Sequence, residues 1–136
     1  MQRKTQQRSA IRAAIEKADR PLSPQEVLDI AQKSLPGLGI ATVYRNIRAL
    51  VDDGWLQAVG LPGAPDRYEV AGKRHHHHFH CRECDSVFEV DGCPEKGVGE
   101  MAPDGFEVES HEIILYGLCR SCATPPALDA LATPSA

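Results

Sequence analysis

The stretch His75–Cys84, HHHHFHCREC, decides how the second half of this 136-residue chain folds. It ends in a Cys-x-x-Cys pair, Cys81 and Cys84, and a second such pair follows at Cys119 and Cys122. Each pair spans one tight turn, and four thiolates can close a tetrahedral Zn²⁺ site. The spacing therefore predicts a structural zinc bound by all four cysteines.

The histidines of this stretch are predicted to hold further metal. Side chains alternate along a β-strand, so His76 and His78 face one side while His75 and His77 face the other. Two metal sites can thus share one strand. The residues expected to complete them are the carboxylates Glu69, Glu89 and Glu95 and the imidazole of His111. Cys93 is given no metal-binding role and is expected to be inert, with a redox role as the alternative.

The rest of this half reads as a small α+β lobe. Alternating patterns predict strands at Ser86–Val90, Phe106–Glu109 and Ile113–Tyr116, with one helix from Pro94 to about Met101. A lobe of this size commonly completes its core by dimerising. Residues 123–136 are rich in Pro, Ala and Thr and are expected to form a disordered tail.

The first sixty residues predict a winged helix. The apolar pattern predicts a first helix over 5–18. A second helix runs from Pro24 to about Ser34 and begins at a capping box with Ser23 as N-cap. A third helix covers 40–53 and is followed by Gly54 at its C′ position. Strands at 55–59 and 67–70, joined by residues 60–66, form the wing. The third helix is predicted to bury an apolar stripe, formed by Val43, Ile47, Leu50 and Val51. Its outward face then consists of Thr42, Tyr44, Arg45 and Arg48, as in a helix-turn-helix.

Charge is divided unevenly along the chain. Residues 1–60 carry nine Lys/Arg against six Asp/Glu, a net +3, whereas residues 61–136 carry six against thirteen, a net −7. The basic N-terminal part suits binding to a polyanion, and the acidic C-terminal part suits binding of cations. No apolar run has the length of about 18 residues that a membrane span needs. A cytoplasmic location is expected, where paired cysteines indicate metal rather than disulfides.

These motifs together resemble the ferric uptake regulator family of metal-sensing bacterial repressors. The likeness is carried by Gly39–Arg45 (GIATVYR), by His75–Cys84 and by His111 with Tyr116–Cys119 (YGLC). It implies a winged-helix domain over 1–72, a metal-binding dimerisation domain over 73–122, and a homodimer that represses metal-homeostasis genes from palindromic operators when metal-loaded. No membrane and no small organic substrate are expected as partners.

The resemblance also implies a role for each site residue. Cys81, Cys84, Cys119 and Cys122 match the structural zinc ligands, and Tyr44 and Arg45 match DNA contacts, with Lys4 near the minor groove. The sensing site matches Glu69, His76 and His78. The resemblance assigns no site to Glu89, which stays a possible metal ligand. The second site matches His75, His77, Glu95 and His111. The regulatory ion is Zn²⁺, Fe²⁺ or Mn²⁺.

Two departures from the family pattern bear on metal choice. Pro21 stands where many relatives place a histidine, and residues 1–74 contain no histidine at all. Peroxide sensing through histidine oxidation, an alternative within the family, is therefore disfavoured. His77 stands where iron-type members commonly have an aspartate, and an added nitrogen ligand favours Zn²⁺ or another borderline ion.

Two other functions compete with metal sensing. A zinc hydrolase needs an open coordination position and a general base, and the chain contains no His-Glu-x-x-His helix. A zinc-stapled DNA-binding module without regulation would use the same cysteines and the same third helix. Only the dependence of DNA binding on exchangeable metal separates that module from a sensor.

Overall fold

The structure is a computed structural model that describes residues 2–93 and 95–123, without the side chains of 95 and 96. Two compact units divide the chain between His75 and His76. The helices and strands confirm the predicted α+β class. From residue 124 onward, the predicted tail lies outside the described residues. None of the helices in the described ranges combines the length and apolar character that a bilayer crossing needs.

The first unit contains three helices and a hairpin. The helices are α1 (Gln2–Ala18), α2 (Pro24–Ala31) and α3 (Ile40–Asp52), and the strands are β1 (Leu56–Leu61) and β2 (Ala64–Val70). Their apolar faces share one core, whose most buried members include Ile11, Ile15, Val27, Val43 and Ile47. Helix α2 ends three residues before the predicted limit, because Gln32–Ser34 form turns instead of a further helical turn.

The predicted helix boundaries have visible causes. Ser23 Oγ accepts from the Glu26 N–H at 3.1 Å, and the Glu26 carboxylate accepts from the Ser23 N–H at 2.9 Å, so the capping box is present. Gly54 follows α3 with a φ of 82°, a left-handed conformation that favours glycine. Both features fix where α2 begins and α3 ends.

The wing is tighter than predicted. Strands β1 and β2 pair antiparallel, with Leu61 opposite Ala64, and they are joined by Pro62 and Gly63 instead of a loop over 60–66. Gly63 takes a φ of 72°, which the sharp turn requires. Pro65 is accommodated because the register of the β1–β2 pair shifts between Val59 and Leu61, and this irregularity leaves Pro65 without a paired residue.

The second unit is built on a three-stranded sheet in the order β4-β3-β5, formed by His77–Cys81 (β3), Val87–Val90 (β4) and Ile114–Gly117 (β5). Strand β3 pairs antiparallel with β4 and parallel with β5. A short helix α4 (Glu95–Val98) and a 3₁₀ turn (Gly99–Met101) follow β4.

The predicted strand Phe106–Glu109 is wrong. This segment has no regular structure, and Phe106 and Val108 are 69% and 46% exposed. Its alternating pattern is real, but a strand also needs a hydrogen-bonding neighbour, and none of the described strands pairs with it.

Candidate metal centres and nucleic-acid interface

The cysteine pairs meet at one end of the second unit's sheet. Parallel pairing places Cys81 opposite Gly117, so the chain that leaves β5 reaches Cys119 beside the end of β3. Each pair closes a turn: Asp85 N–H donates to Cys81 O at 3.0 Å, and Cys122 N–H donates to Cys119 O at 3.0 Å. The parallel pairing of β3 with β5 therefore brings the two cysteine pairs together, although they lie far apart in the sequence.

The spacing of these sulfurs fits zinc. In a regular tetrahedron with Zn–S bonds of about 2.3 Å, sulfur atoms lie about 3.8 Å apart. Cys84 Sγ and Cys119 Sγ are 3.8 Å apart. All four sulfurs, from Cys81, Cys84, Cys119 and Cys122, lie within 4.8 Å of one another. The cluster accordingly has the ligand type and the dimensions of a structural zinc site.

Hydrogen bonding prepares some of these sulfurs for metal more than others. Burial opposes ionisation of Cys81, but backbone N–H groups around Cys84 and Cys119 outweigh it and lower the pKa to about 6. Ser86 lowers the pKa of Cys84 through its hydroxyl and its N–H. Burial and the neighbouring thiols raise the pKa of Cys122 to about 12. Since the thiolate is the metal ligand, Cys81 is the sulfur best prepared to bind.

One pair of histidines gathers beside a carboxylate. The His76 and His78 rings lie 4.9 Å apart, edge to face. Glu89 is opposite His78 on β4, and its carboxylate is 3.7 Å from His76 Nε2. The structure thus brings together two of the predicted sensing ligands and the further candidate Glu89.

Glu69 belongs to the first unit, on strand β2. Its side chain is almost completely buried, with 1% of the residue exposed, and it accepts from Gln57 Nε2 at 2.7 Å. Pro21 is fully buried in the same unit. The grouping of Glu69 with His76 and His78 stays a prediction.

A third group of ligand atoms lies at the start of β3. Cys93 Sγ is 3.3 Å from His77 Nε2 and 3.2 Å from His111 Nε2. The rings of His77 and His111 are 4.9 Å apart, and His77 is buried, with 3% exposed. The structure therefore brings His77 and His111 together as predicted, around a thiol that sequence reasoning had left without a role.

The sequence predicts two further members of this group, Glu95 and His75. The side chain of Glu95 lies outside the described residues, and His75 ends the first unit, so both stay predictions. Cys93 carried one usable signal in the sequence, its position two residues before the expected ligand Glu95. A residue count alone does not say which of the two side chains turns toward His77.

Helix α3 presents a polar face to solvent, as predicted. Tyr44 is 55% exposed, and Arg45 and Arg48 are exposed as well, while Thr42 is half-buried. Arg45 donates to Thr42 Oγ1 at 3.0 Å, which holds its guanidinium along the helix. This face offers the hydroxyl, aromatic and guanidinium groups that read base edges and phosphates.

A basic groove of about 530 Å³ runs between α1 and α3 in the first unit. Lys4, Arg8 and Arg12 line it from α1, and Arg45 and Asn46 line it from α3. The Arg12 guanidinium also lies 4.4 Å above the Trp55 ring. Clustered cations beside the outward face of α3 suit contacts to DNA phosphates.

The chain matches known proteins over most of its length. The model of the ferric uptake regulator family matches residues 2–116. A zinc uptake regulation protein of Mycobacterium tuberculosis is 34% identical over 122 residues, covering 88% of this chain and 94% of the relative. A ferric uptake regulation protein of Campylobacter jejuni is 30% identical over 122 residues, covering 87% of this chain and 78% of the relative.

Solved structures share the fold. A zinc-bound manganese uptake regulator superposes with a TM-score of 0.73 at 24% identity, over 83% of this chain and 87% of the other, a likeness of fold alone. The ferric uptake regulator from Francisella tularensis with iron gives 0.64 at 28% identity, over 86% and 91%. Because the family match extends through both units and through the histidine-rich strand, the chain belongs to the ferric uptake regulator family, whose members are metal-responsive transcriptional regulators.

Proposed function

We propose that this chain is a metal-activated repressor of metal-homeostasis genes that binds palindromic operators as a homodimer in the cytoplasm. The observation that carries the proposal is the exposed face of α3, with Tyr44, Arg45 and Arg48. The unit that bears this face continues through the His75–His76 peptide bond into the metal-ligating strand. A DNA-reading element and metal ligands are therefore adjacent in one chain.

In this proposal α3 enters the major groove. Tyr44 and Arg45 contact bases or their phosphates, Thr42 and Arg48 assist from the same face, and Lys4 approaches the minor groove. The basic groove between α1 and α3 supports these roles, since phosphate contacts set the register of a protein on a duplex.

The exposed apolar side of the second unit supports a homodimer. Strand β5 is an edge strand of the described sheet, and Leu115 and Tyr116 on it are 46% and 59% exposed. Phe106 and Val108, in the segment without regular structure, are also exposed. An apolar edge of this kind is a liability in a monomer and is commonly covered by a second copy.

The metals in this proposal have separate tasks. The cysteine cluster holds structural Zn²⁺, which contributes directly to folding. A regulatory divalent ion, Zn²⁺, Fe²⁺ or Mn²⁺, is held by His76, His78 and Glu89 together with Glu69. Because Glu69 belongs to the first unit, its binding would restrict the arrangement of the DNA-reading unit. No catalytic role is proposed for any of these residues.

Regulation then follows from linkage. A ligand that binds one arrangement of the two units better than others shifts the population toward that arrangement. A coupling of about 1–3 kcal/mol changes operator affinity by roughly 5–150-fold, which is enough to switch a promoter.

The direct test is operator binding at fixed salt. Duplexes selected from a random pool by zinc-saturated protein would be titrated by fluorescence anisotropy with protein that retains only its cysteine-bound zinc, and then with added Zn²⁺, Fe²⁺ or Mn²⁺. We expect one of these ions to tighten binding to a palindromic duplex. Equal binding with and without every ion would instead indicate a zinc-stapled DNA-binding module.

Variants of the reading helix test its part separately. Tyr44→Ala or Arg45→Ala should weaken operator binding at unchanged zinc content, since both side chains belong to the first unit and all four zinc-ligating cysteines to the second. Lys33→Ala is the matched control, because Lys33 is exposed just beyond α2 and lies outside the basic groove. Full operator affinity in the Tyr44 and Arg45 variants would contradict the assignment of α3.

A further inference from the structure

We propose that Cys93 is a thiolate ligand of the second metal site, together with His77 and His111, and that this site therefore prefers Zn²⁺ or Co²⁺ to Mn²⁺. The inference gives Cys93 the ligand position that the family resemblance assigned to Glu95. It rests on the proposed function for the site's regulatory meaning. The ligand assignment itself can be tested without DNA.

The topology of the sheet makes the three residues converge. Val90, the last residue of β4, is opposite His77, so the chain that leaves β4 reaches Cys93 beside the start of β3. Ile114, the first residue of β5, is opposite His78, so the chain that enters β5 passes His111 at the same end. The two flanking strands thus deliver a thiol and an imidazole to His77.

The distances suit one shared ion. With Zn–S of about 2.3 Å and Zn–N of about 2.0–2.1 Å, sulfur and nitrogen ligands of a tetrahedral ion lie about 3.5–3.6 Å apart. Cys93 Sγ lies 3.3 Å from His77 Nε2 and 3.2 Å from His111 Nε2. Small outward movements would admit an ion. His75 is the fourth donor that the sequence predicts for this site.

In the metal-free form the backbone holds the His77 ring with Nε2 toward the sulfur. Ile113 N–H donates to His77 Nδ1 at 3.1 Å, which leaves Nε2 facing the sulfur. A neutral ring that accepts at Nδ1 carries its proton on Nε2, where it donates to Cys93. Metal binding at Nε2 requires the other tautomer, so it exchanges the Ile113 and sulfur hydrogen bonds for two ligand bonds. The metal-free cluster is in this sense a closed form of the same site.

The ligand chemistry sets the preference among ions. Thiolates are soft ligands that favour Zn²⁺ and similar ions, whereas carboxylates suit Mn²⁺ and Mg²⁺. Imidazole nitrogens from His77 and His111 add to the same bias. With Cys93 as ligand, the site contains sulfur and nitrogen and discriminates against an ion that favours oxygen.

Cobalt spectroscopy tests the sulfur ligand. Full-length protein with its cysteine cluster already filled by Zn²⁺ would be titrated anaerobically with Co²⁺, and zinc analysis after gel filtration would check that this zinc is retained. A Co²⁺–thiolate bond gives near-ultraviolet charge-transfer absorption, which a site of imidazoles and carboxylates lacks. We expect such a band at saturating Co²⁺, together with the visible bands of four-coordinate Co²⁺.

Two variants separate the candidate ligands. Cys93→Ser should lose the charge-transfer band, whereas Glu95→Gln should keep it. Cys93→Asp, which restores an oxygen ligand, should lower the ratio of Zn²⁺ to Mn²⁺ affinity by at least about tenfold, the loss that even second-shell changes cause. A band that persists in Cys93→Ser, or an absent band in the unmodified chain with its zinc retained, would overturn the proposal.

Thiol protection provides a measurement that needs no variant. Saturating Zn²⁺ beyond the cysteine-bound ion should slow alkylation of Cys93 by at least about tenfold. Mass spectrometry of the peptide that contains Cys93 follows the reaction. Unchanged alkylation would also overturn the proposal. If these results agree with the ligand assignment while operator binding does not depend on metal, the proposed function is wrong and the assignment of Cys93 stands. If operator binding responds to metal while Cys93 stays unprotected, only the ligand assignment fails.

Discussion

Cys81 shows how a single residue prepares the zinc cluster. It is fully buried at the end of β3, and the Cys119 N–H lies 3.4 Å from its sulfur. Burial alone would keep the thiol protonated, but several backbone donors reverse that effect. The backbone donors therefore favour the thiolate form of Cys81 before any metal binds.

Proton release on zinc binding should report this difference. Cys81, with a pKa lowered from 9.0 to about 6, is already a thiolate near pH 7 and releases no proton there. Cys122, with a pKa raised to about 12, must lose one. Calorimetric zinc titrations in two buffers of different ionisation enthalpy measure the proton count. Cys122→Ser should lower this count by about one, and Cys81→Ser should leave it nearly unchanged.

The sign of the pH dependence follows from the same values. Zinc affinity should rise with pH above about 6, because Cys122 continues to exchange its proton for metal while Cys81 no longer does. Below that value Cys81 also competes with protons, so affinity should fall more steeply on acidification. An equal loss of released protons in the two serine variants would contradict this account.

Among the elements, those fixed by local chemistry were predictable from the sequence. Ser23 and Glu26 indicate the start of α2, and Gly54 indicates the end of α3. Both signals are local, because each involves only residues that are close together in the sequence. The wing was harder to predict. The expected loop over 60–66 contains Pro65, and the structure accommodates this residue in strand β2. Phe106–Glu109 failed because a strand depends on a neighbour that local pattern does not reveal.

The capping box gives a prediction at this scale. Ser23→Ala should destabilise the first unit by about 1 kcal/mol, since the Glu26 N–H loses its acceptor. Ser9→Ala is the matched control, because Ser9 is exposed inside α1 and alanine has the higher helix propensity. Urea unfolding of the zinc-loaded protein compares them. A Ser23 variant no less stable than the Ser9 variant would show that the box contributes little.

Strand β5 gives a second prediction among the elements. Leu115→Glu should shift the protein toward monomer, because a charge without a partner would be buried in the proposed dimer interface. Met101→Glu is the control, since Met101 is 82% exposed and lies outside the sheet. Sedimentation velocity measures the distribution. A Leu115 variant that stays dimeric would place the interface elsewhere.

At the scale of the whole molecule, the metal sites depend on topology more than on motif. The cysteine pairs were predictable because each is a local turn, yet their meeting requires β3 and β5 to run parallel. Cys93 was missed for the corresponding reason. Its approach to His77 and His111 results from which strands flank β3, and no spacing rule in the sequence contains that information.

In the proposed function, metal binding and operator binding are coupled. Linkage makes this coupling measurable as a closed thermodynamic cycle. Operator affinity would be measured with the cysteine-bound zinc alone and with the regulatory ion saturating, and the affinity for that ion would be measured with and without operator, all at one salt concentration. The account predicts that both ratios equal one factor, of roughly 5–150. Operator affinity that does not change when the regulatory ion is added or removed would contradict it.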